Sequence, residues 1–153
     1  MKKIAVFLTV AVAVTLLYLN TGLGFKFTEV VGTPEVRAIK HRFSNDIAVQ
    51  PAIIDYQIED GYAFGFRLPA YEASCENSKY TSSLLSLDGV YFILNLSNDS
   101  YVEFNQSDKF YKHLSSKGLE KGLNLTSAEL DKVVATYDSR YKEFGYFDTC
   151  KPL

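Results

Sequence analysis

The alternation of apolar and polar positions changes character three times along this chain. Ile4 to Leu17 is apolar except for Thr9 and Thr15, and Tyr18-Leu19-Asn20-Thr21-Gly22-Leu23-Gly24 follows it. From Phe25 onward short β-branched and aromatic runs sit between turn residues, which predicts strands at 25–31, 36–40 and 47–49. Two clearer hairpins follow, Ile53 to Ile58 with Tyr62 to Leu68, and Val90 to Leu96 with Tyr101 to Phe104. The stretch from Pro69 to Ser83, which holds Cys75, reads as a mostly polar connection.

Side-chain sorting predicts the register of each hairpin, because a slip of one residue moves every side chain to the opposite face. A two-residue Asp60-Gly61 turn would mix polar and aromatic residues on one face. A three-residue loop Glu59-Asp60-Gly61 pairs Ile58 with Tyr62, Tyr56 with Phe64 and Ile54 with Phe66, and leaves Asp55, Gln57 and Arg67 outside. The pattern therefore predicts the longer loop. The same test on the second hairpin predicts an odd-length loop that gathers Phe92, Leu94, Leu96, Val102 and Phe104, with Tyr91, Ile93 and Tyr101 on the other face.

The period then becomes helical. One short helix begins near Ser107, carries Phe110 and Leu114, and stops at Gly118. A second opens at the capping box Thr126-Ser127-Ala128-Glu129, in which hydroxyl and carboxylate satisfy orphan backbone donors reciprocally. Leu130, Val133, Val134, Tyr137 and Tyr141 mark its apolar face, and Gly145 ends it. Strands followed by helices without regular alternation predict an α+β fold. The expected architecture is an antiparallel sheet of four to six strands with two C-terminal helices packed on one side, preceded by an N-terminal transmembrane or signal helix. The 153 residues divide into a leader, 1–24, and one exported domain, 25–153.

Two readings of the leader stand. About 20 residues cross a bilayer, and Ile4 to Leu23 reaches that length if Asn20, Thr21 and Gly22 are interfacial. Gly22 and Gly24 also place small residues two apart, as before a signal-peptide cut at Phe25, although an A-x-A pattern is absent. Both readings keep Lys2 and Lys3 in the cytoplasm and export the remainder. The expected location is the inner membrane, single-pass with the domain in the periplasm, or the periplasm alone after cleavage.

Cysteine usage agrees with export. Cys75 and Cys150 are the only cysteines, and an even count in an oxidising compartment predicts a bridge. Charge narrows the partners: 16 basic against 18 acidic residues give a net of -2, and without Lys2 and Lys3 the balance is 14 against 18. No basic cluster offers the counterion release that nucleic-acid binding draws on, so no nucleic-acid partner is expected.

Chemical motifs are sparse. His41 and His113 have no second ligand at metal spacing, and no calcium loop, nucleophile elbow or phosphate-binding glycine loop occurs. No catalytic residue, metal or cofactor is predicted. Four N-x-[ST] triplets, at Asn95, Asn98, Asn105 and Asn124, read mainly as turn and capping residues. Aromatics are the anomaly: 20 of the 129 residues from Phe25 on, ten of them tyrosine. Tyrosine joins an apolar body to a polar tip and is enriched where proteins meet. Tyr91, Tyr101 and Tyr111 are the predicted binding surface.

The stretch Val90-Tyr91-Phe92-Ile93-Leu94-Asn95, a polar turn, Tyr101 to Phe104 and a Ser107-led helix ending at Gly118 resembles a segment of small exported bacterial proteins of unknown function. It spans about 30 residues and transfers no catalytic residues. The expectation that emerges is a non-enzymatic envelope module, held by its N-terminal helix to the membrane, that binds a protein or an envelope component. The rival is a small envelope hydrolase whose site assembles only in the fold; it requires a pocket holding His41 or His113 beside a Ser, Cys or carboxylate.

Overall fold

The central strand of the molecule is buried on both of its faces, and the packing follows from that. The computed structural model describes residues 22–33, 35–44, 46–76, 78–119 and 127–153, with side chains in the last stretch from Leu130 onward. Residues 1–21 of the leader, Asn124, and Thr126 of the capping box lie outside the described residues; Leu23, counted above as the end of the apolar span, is 2% exposed in the core of the domain. Among the described residues no helix is long and apolar enough to cross a membrane.

Among the described residues ten strands form three antiparallel sheets: β1 (Phe27–Val30), β2 (Ala38–His41) and β3 (Ile47–Val49); β4 (Ile53–Glu59), β5 (Tyr62–Arg67), β8 (Val90–Asn95) and β9 (Tyr101–Phe104); and β6 (Ala70–Cys75), β7 (Thr81–Leu85) and β10 (Cys150–Pro152). The helices are α1 (Ser107–Ser116), α2 (Ser127–Glu143) and the short α3 (Tyr146–Thr149). The α+β class is as expected. The single sheet of four to six strands is not: the polar stretch after Pro69 holds the β6–β7 hairpin, and the C-terminus adds β10.

The four-stranded sheet, ordered β4-β5-β8-β9, lies between two layers. On one side Ala63, Phe92 and Leu94 join Leu23, Phe27, Ile39 and Val49 in a core shared with the N-terminal sheet. On the other, Phe64 and Ile93 pack with Phe110, Leu114 and Leu119 of α1 and its exit. Phe66 and Tyr91 join the cluster holding Tyr137 and Tyr141 of α2. Both helices therefore cover the same side. At the end of α1, Leu119 donates its N–H to the Leu114 carbonyl at 3.1 Å and packs beside Leu114, so the exit is sealed by a backbone bond and an apolar contact together.

Double coverage overturns both predicted registers. Glu59 pairs with Tyr62, Gln57 with Phe64 and Asp55 with Phe66, across the two-residue Asp60-Gly61 turn that side-chain sorting rejected. Asp60 and Gly61 both have positive φ, 46° and 80°, the type I′ geometry for which Asp-Gly is suited. Sorting failed because it assumed one wet face. Arg67, expected outside, is only 8% exposed beneath the N-terminal sheet. Its Nε donates to Glu103 Oε1 at 2.7 Å and its Nη1 to the Pro51 carbonyl at 3.1 Å, so the buried charge is paired. In the second hairpin Leu94 pairs with Tyr101 and Tyr91 with Phe104. The loop is therefore even, and Val102 and Phe104 lie with Tyr91 and Ile93 rather than with Phe92. Asn95 Oδ1 accepts from the N–H groups of Ser97 and Asn98, as expected of a turn asparagine.

The predicted bridge is present. Cys75 and Cys150 are direct partners between β6 and β10, with Cα atoms 4.0 Å apart. Glu76 N–H to Thr149 O and Leu153 N–H to Glu72 O fix the flanking hydrogen bonds, which puts the cysteines at a non-hydrogen-bonded pair, where antiparallel strands approach most closely. Pro152 occupies the next such position on this edge strand, so its missing N–H removes no ladder bond.

Two outcomes test this architecture. A Cβ on Gly65 would stand 2.2 Å from the Asp55 carbonyl oxygen and 2.6 Å from Tyr56 Cα, both backbone atoms. Gly65→Ala is expected to lower the urea midpoint by the equivalent of about 3 kcal/mol; an unchanged midpoint would contradict the β4–β5 register. Thiol titration in denaturant is expected to find no free cysteine before reductant and two after it, with reduction destabilising the domain by about 2 to 4 kcal/mol.

Candidate functional site

The β10-β6-β7 sheet leaves β7 as an open edge, and α2 runs beside it. Ladder bonds alternate along β7. Leu85 directs its N–H away from β6, where it donates to the Tyr141 hydroxyl of α2 at 2.6 Å. By that alternation Thr81 and Ser83 also present their N–H and C=O to the open side. A single hydroxyl therefore closes one end of the edge and leaves the other end accessible.

This edge forms one wall of a cleft of about 410 Å³. Its lining includes Glu35, Ser82, Ser83, Tyr137, Arg140 and Tyr146. Glu35 arrives from the β1–β2 connection, with Oε1 3.9 Å from Arg140 Nη1. Hydrogen bonds from Tyr137 first, and then from Thr33, hold its carboxyl below the usual carboxylate range against the opposing effect of burial, with Arg140 adding a smaller attraction. Burial, and then the bond to Glu35, pushes the Tyr137 phenol up. A second, more apolar cleft of about 510 Å³ shares Leu85 and Tyr141 with the first and continues past Tyr71 and Phe147 to Pro152. Phe147 on α3 is 51% exposed there.

The pair of clefts presents an anion, a cation, several hydroxyls, free strand-edge amides and apolar rings. That set suits recognition of an extended polypeptide, whose backbone pairs with an edge and whose side chains fill pockets. Comparison with protein-family models, curated proteins and solved structures finds no match for this chain. The geometry alone carries the reading.

The predicted tyrosines do not form one surface. Tyr91 is half-buried, stacked on Phe110 with centroids 4.8 Å apart and edge-on to Phe66. Tyr111 lies 6.2 Å from Tyr91 and is 40% exposed. Tyr101 is on the opposite face, against Phe92, and donates its hydroxyl to the Glu103 carboxylate. The even loop of the second hairpin separates it from Tyr91. His41 packs on Phe27 and His113 on Phe104, and neither lines the two clefts. Among the described residues no group of three or more His, Cys, Asp or Glu side chains is placed to hold a metal ion.

Sequence reading missed Glu35, Arg140 and the hydroxyl role of Tyr137 and Tyr141. Both tyrosines were assigned to the apolar stripe of α2, and both are indeed buried. The available signal was the choice of tyrosine where leucine would fill the same stripe.

Five tyrosines share one consequence. Burial is the largest cause raising Tyr56, Tyr91, Tyr101, Tyr137 and Tyr141, and Tyr56 is pushed up to about 12, with the Glu29 carboxylate assisting. A phenol that ionises later when folded makes the native state bind more protons than the unfolded state above about pH 10. Stability is therefore expected to be whole below that pH and to fall as pH rises through the folded values, for Tyr56 across about 10 to 12. Because the chain has no tryptophan, phenolate absorbance reads this directly. Five native tyrosines should titrate later than in denaturant; coincident curves would refute the burial described.

Proposed function

We infer that the protein is a membrane-attached envelope module that binds an extended segment of a partner protein in the cleft between β7 and α2. One observation carries this reading: the backbone edge of β7, open at Ser83, forms a wall of a pocket that also holds Glu35 and Arg140. Strand addition gives affinity through main-chain hydrogen bonds, and flanking side chains give specificity. The Glu35–Arg140 pair suits a partner segment carrying both charge signs, and the second cleft beside Phe147 suits an apolar residue at its end. Attachment to the membrane and display outside the cytoplasm come from the apolar leader and from the bridge between Cys75 and Cys150.

The test uses the full chain in intact cells, with a benzoylphenylalanine photocrosslinker at Ser83 and, separately, at Lys112 on α1. A discrete adduct is expected from position 83, weakened about tenfold or more by Arg140→Glu, and none from position 112. Identical adduct patterns from the two positions, or a position-83 adduct indifferent to Arg140→Glu, would reject the cleft as the binding site.

A further inference from the structure

A second surface has an apolar character, and the described residues leave it exposed. Phe25 and Phe43 are 65% and 73% exposed, and their rings lie against each other with centroids 5.0 Å apart. Phe25 precedes β1 and Phe43 sits in the turn between β2 and β3. The turn is fixed rather than loose. Arg42 donates its Nη2 to the carbonyls of Gly24 and Phe27 at 3.3 and 2.8 Å, and its backbone N–H to Lys26 O at 2.9 Å. Those bonds tie the segment carrying Phe25 to the segment carrying Phe43.

The chain just before this pair identifies what covers it. Residues 4–17 are apolar apart from two threonines, and five residues, Tyr18 to Gly22, separate that run from Leu23. Leu23 is already in the core at 2% exposure, so no more than those five residues lie between the apolar run and the folded domain. From Leu17, the end of the apolar run, to Phe25 the chain spans at most about 29 Å. A segment apolar enough to enter a bilayer thus keeps Phe25 and Phe43 within reach of the water–lipid boundary, the level at which aromatic rings settle. Two neighbouring cations are engaged: Lys26 Nζ is 2.5 Å from Asp99, and Arg42 Nη2 is bonded to backbone carbonyls. What the pair itself offers a bilayer is aromatic area.

We propose that the Phe25–Phe43 pair inserts into the bilayer interface beside the emerging leader and holds the domain against the membrane instead of on a tether. This rests on the membrane-attachment reading above, and the experiment separates the two. The chain has no tryptophan, so Phe43→Trp, with Phe25→Trp as a second variant, gives a single reporter in the full-length protein. Each is floated with phosphatidylcholine vesicles whose acyl chains are brominated; Tyr80→Trp, at a position 83% exposed in the β6–β7 connection, is the control. The expected result is that all three co-float, that emission from positions 43 and 25 is largely lost to bromine quenching whatever the salt concentration, and that emission from position 80 persists. Co-flotation with unquenched emission at 43 and 25 would overturn the seat while leaving attachment intact. Failure to co-float would overturn attachment and the seat with it.

Discussion

The structure depends on one constraint: β5 and β8, the central strands of the sheet β4-β5-β8-β9, bury both of their faces. Apolar burial scales with area removed from water, and a sheet that buries both faces gains from every residue rather than from alternate ones. On β5, Ala63, Phe64, Phe66 and Arg67 are all buried, two toward each layer. Gly65, between them, admits the β4 backbone closely enough that even a methyl group would collide. The N-terminal sheet covers one face of these strands and α1 the other, so the layers form a three-tier stack.

That same constraint explains what was legible in the sequence. Strands with β-branched and aromatic runs bounded by turn residues were found in place, as were α1 with Phe110 and Leu114 and the bridge between Cys75 and Cys150. Register was misread because alternation carries information only when one face meets solvent. With both faces buried, the local chemistry of the turn outranks face sorting, and Asp60-Gly61 in the left-handed region sets the pairing. The error then moved to the side chains: Arg67 from solvent to core, and Tyr101 away from Tyr91. β6 and β7 were illegible for another reason. Tyr71-Glu72-Ala73-Ser74-Cys75 and Thr81-Ser82-Ser83 bury little, and they are strands through mutual pairing and the cross-strand bridge to β10 rather than through an apolar face.

The cleft inherits that dependence. Its walls come from the β1–β2 connection, from β7 and from α2, segments far apart in sequence, and no stretch of ten residues contains more than four of the ten that line it. Cys150 leaves α3 and pairs with Cys75, so the bridge ties the end of the helical segment to the sheet whose edge faces α2. Reduction would release β10 from β6 and loosen the position of α3, which carries Phe147 and Tyr146 into the two clefts. If the cleft binds as proposed, its geometry would depend on the bridge, and so on a compartment where thiols oxidise.

Strand β2 connects the two surfaces. Glu35, at the cleft, and Phe43, at the aromatic seat, lie beyond opposite ends of Ala38–His41, eight residues apart. Extended chain of that length reaches at most about 29 Å. β2 is the middle strand of its sheet, paired by β1 and β3 and buried through Ala38 and Ile39, so that distance is set by packed structure rather than by a mobile loop. With Phe43 at the bilayer interface, Glu35 would stand within that distance of the membrane surface. A partner segment reaching β7 must then approach close to the bilayer, which favours partners that are themselves held at the membrane, since confinement to one surface raises their effective concentration at the edge they extend.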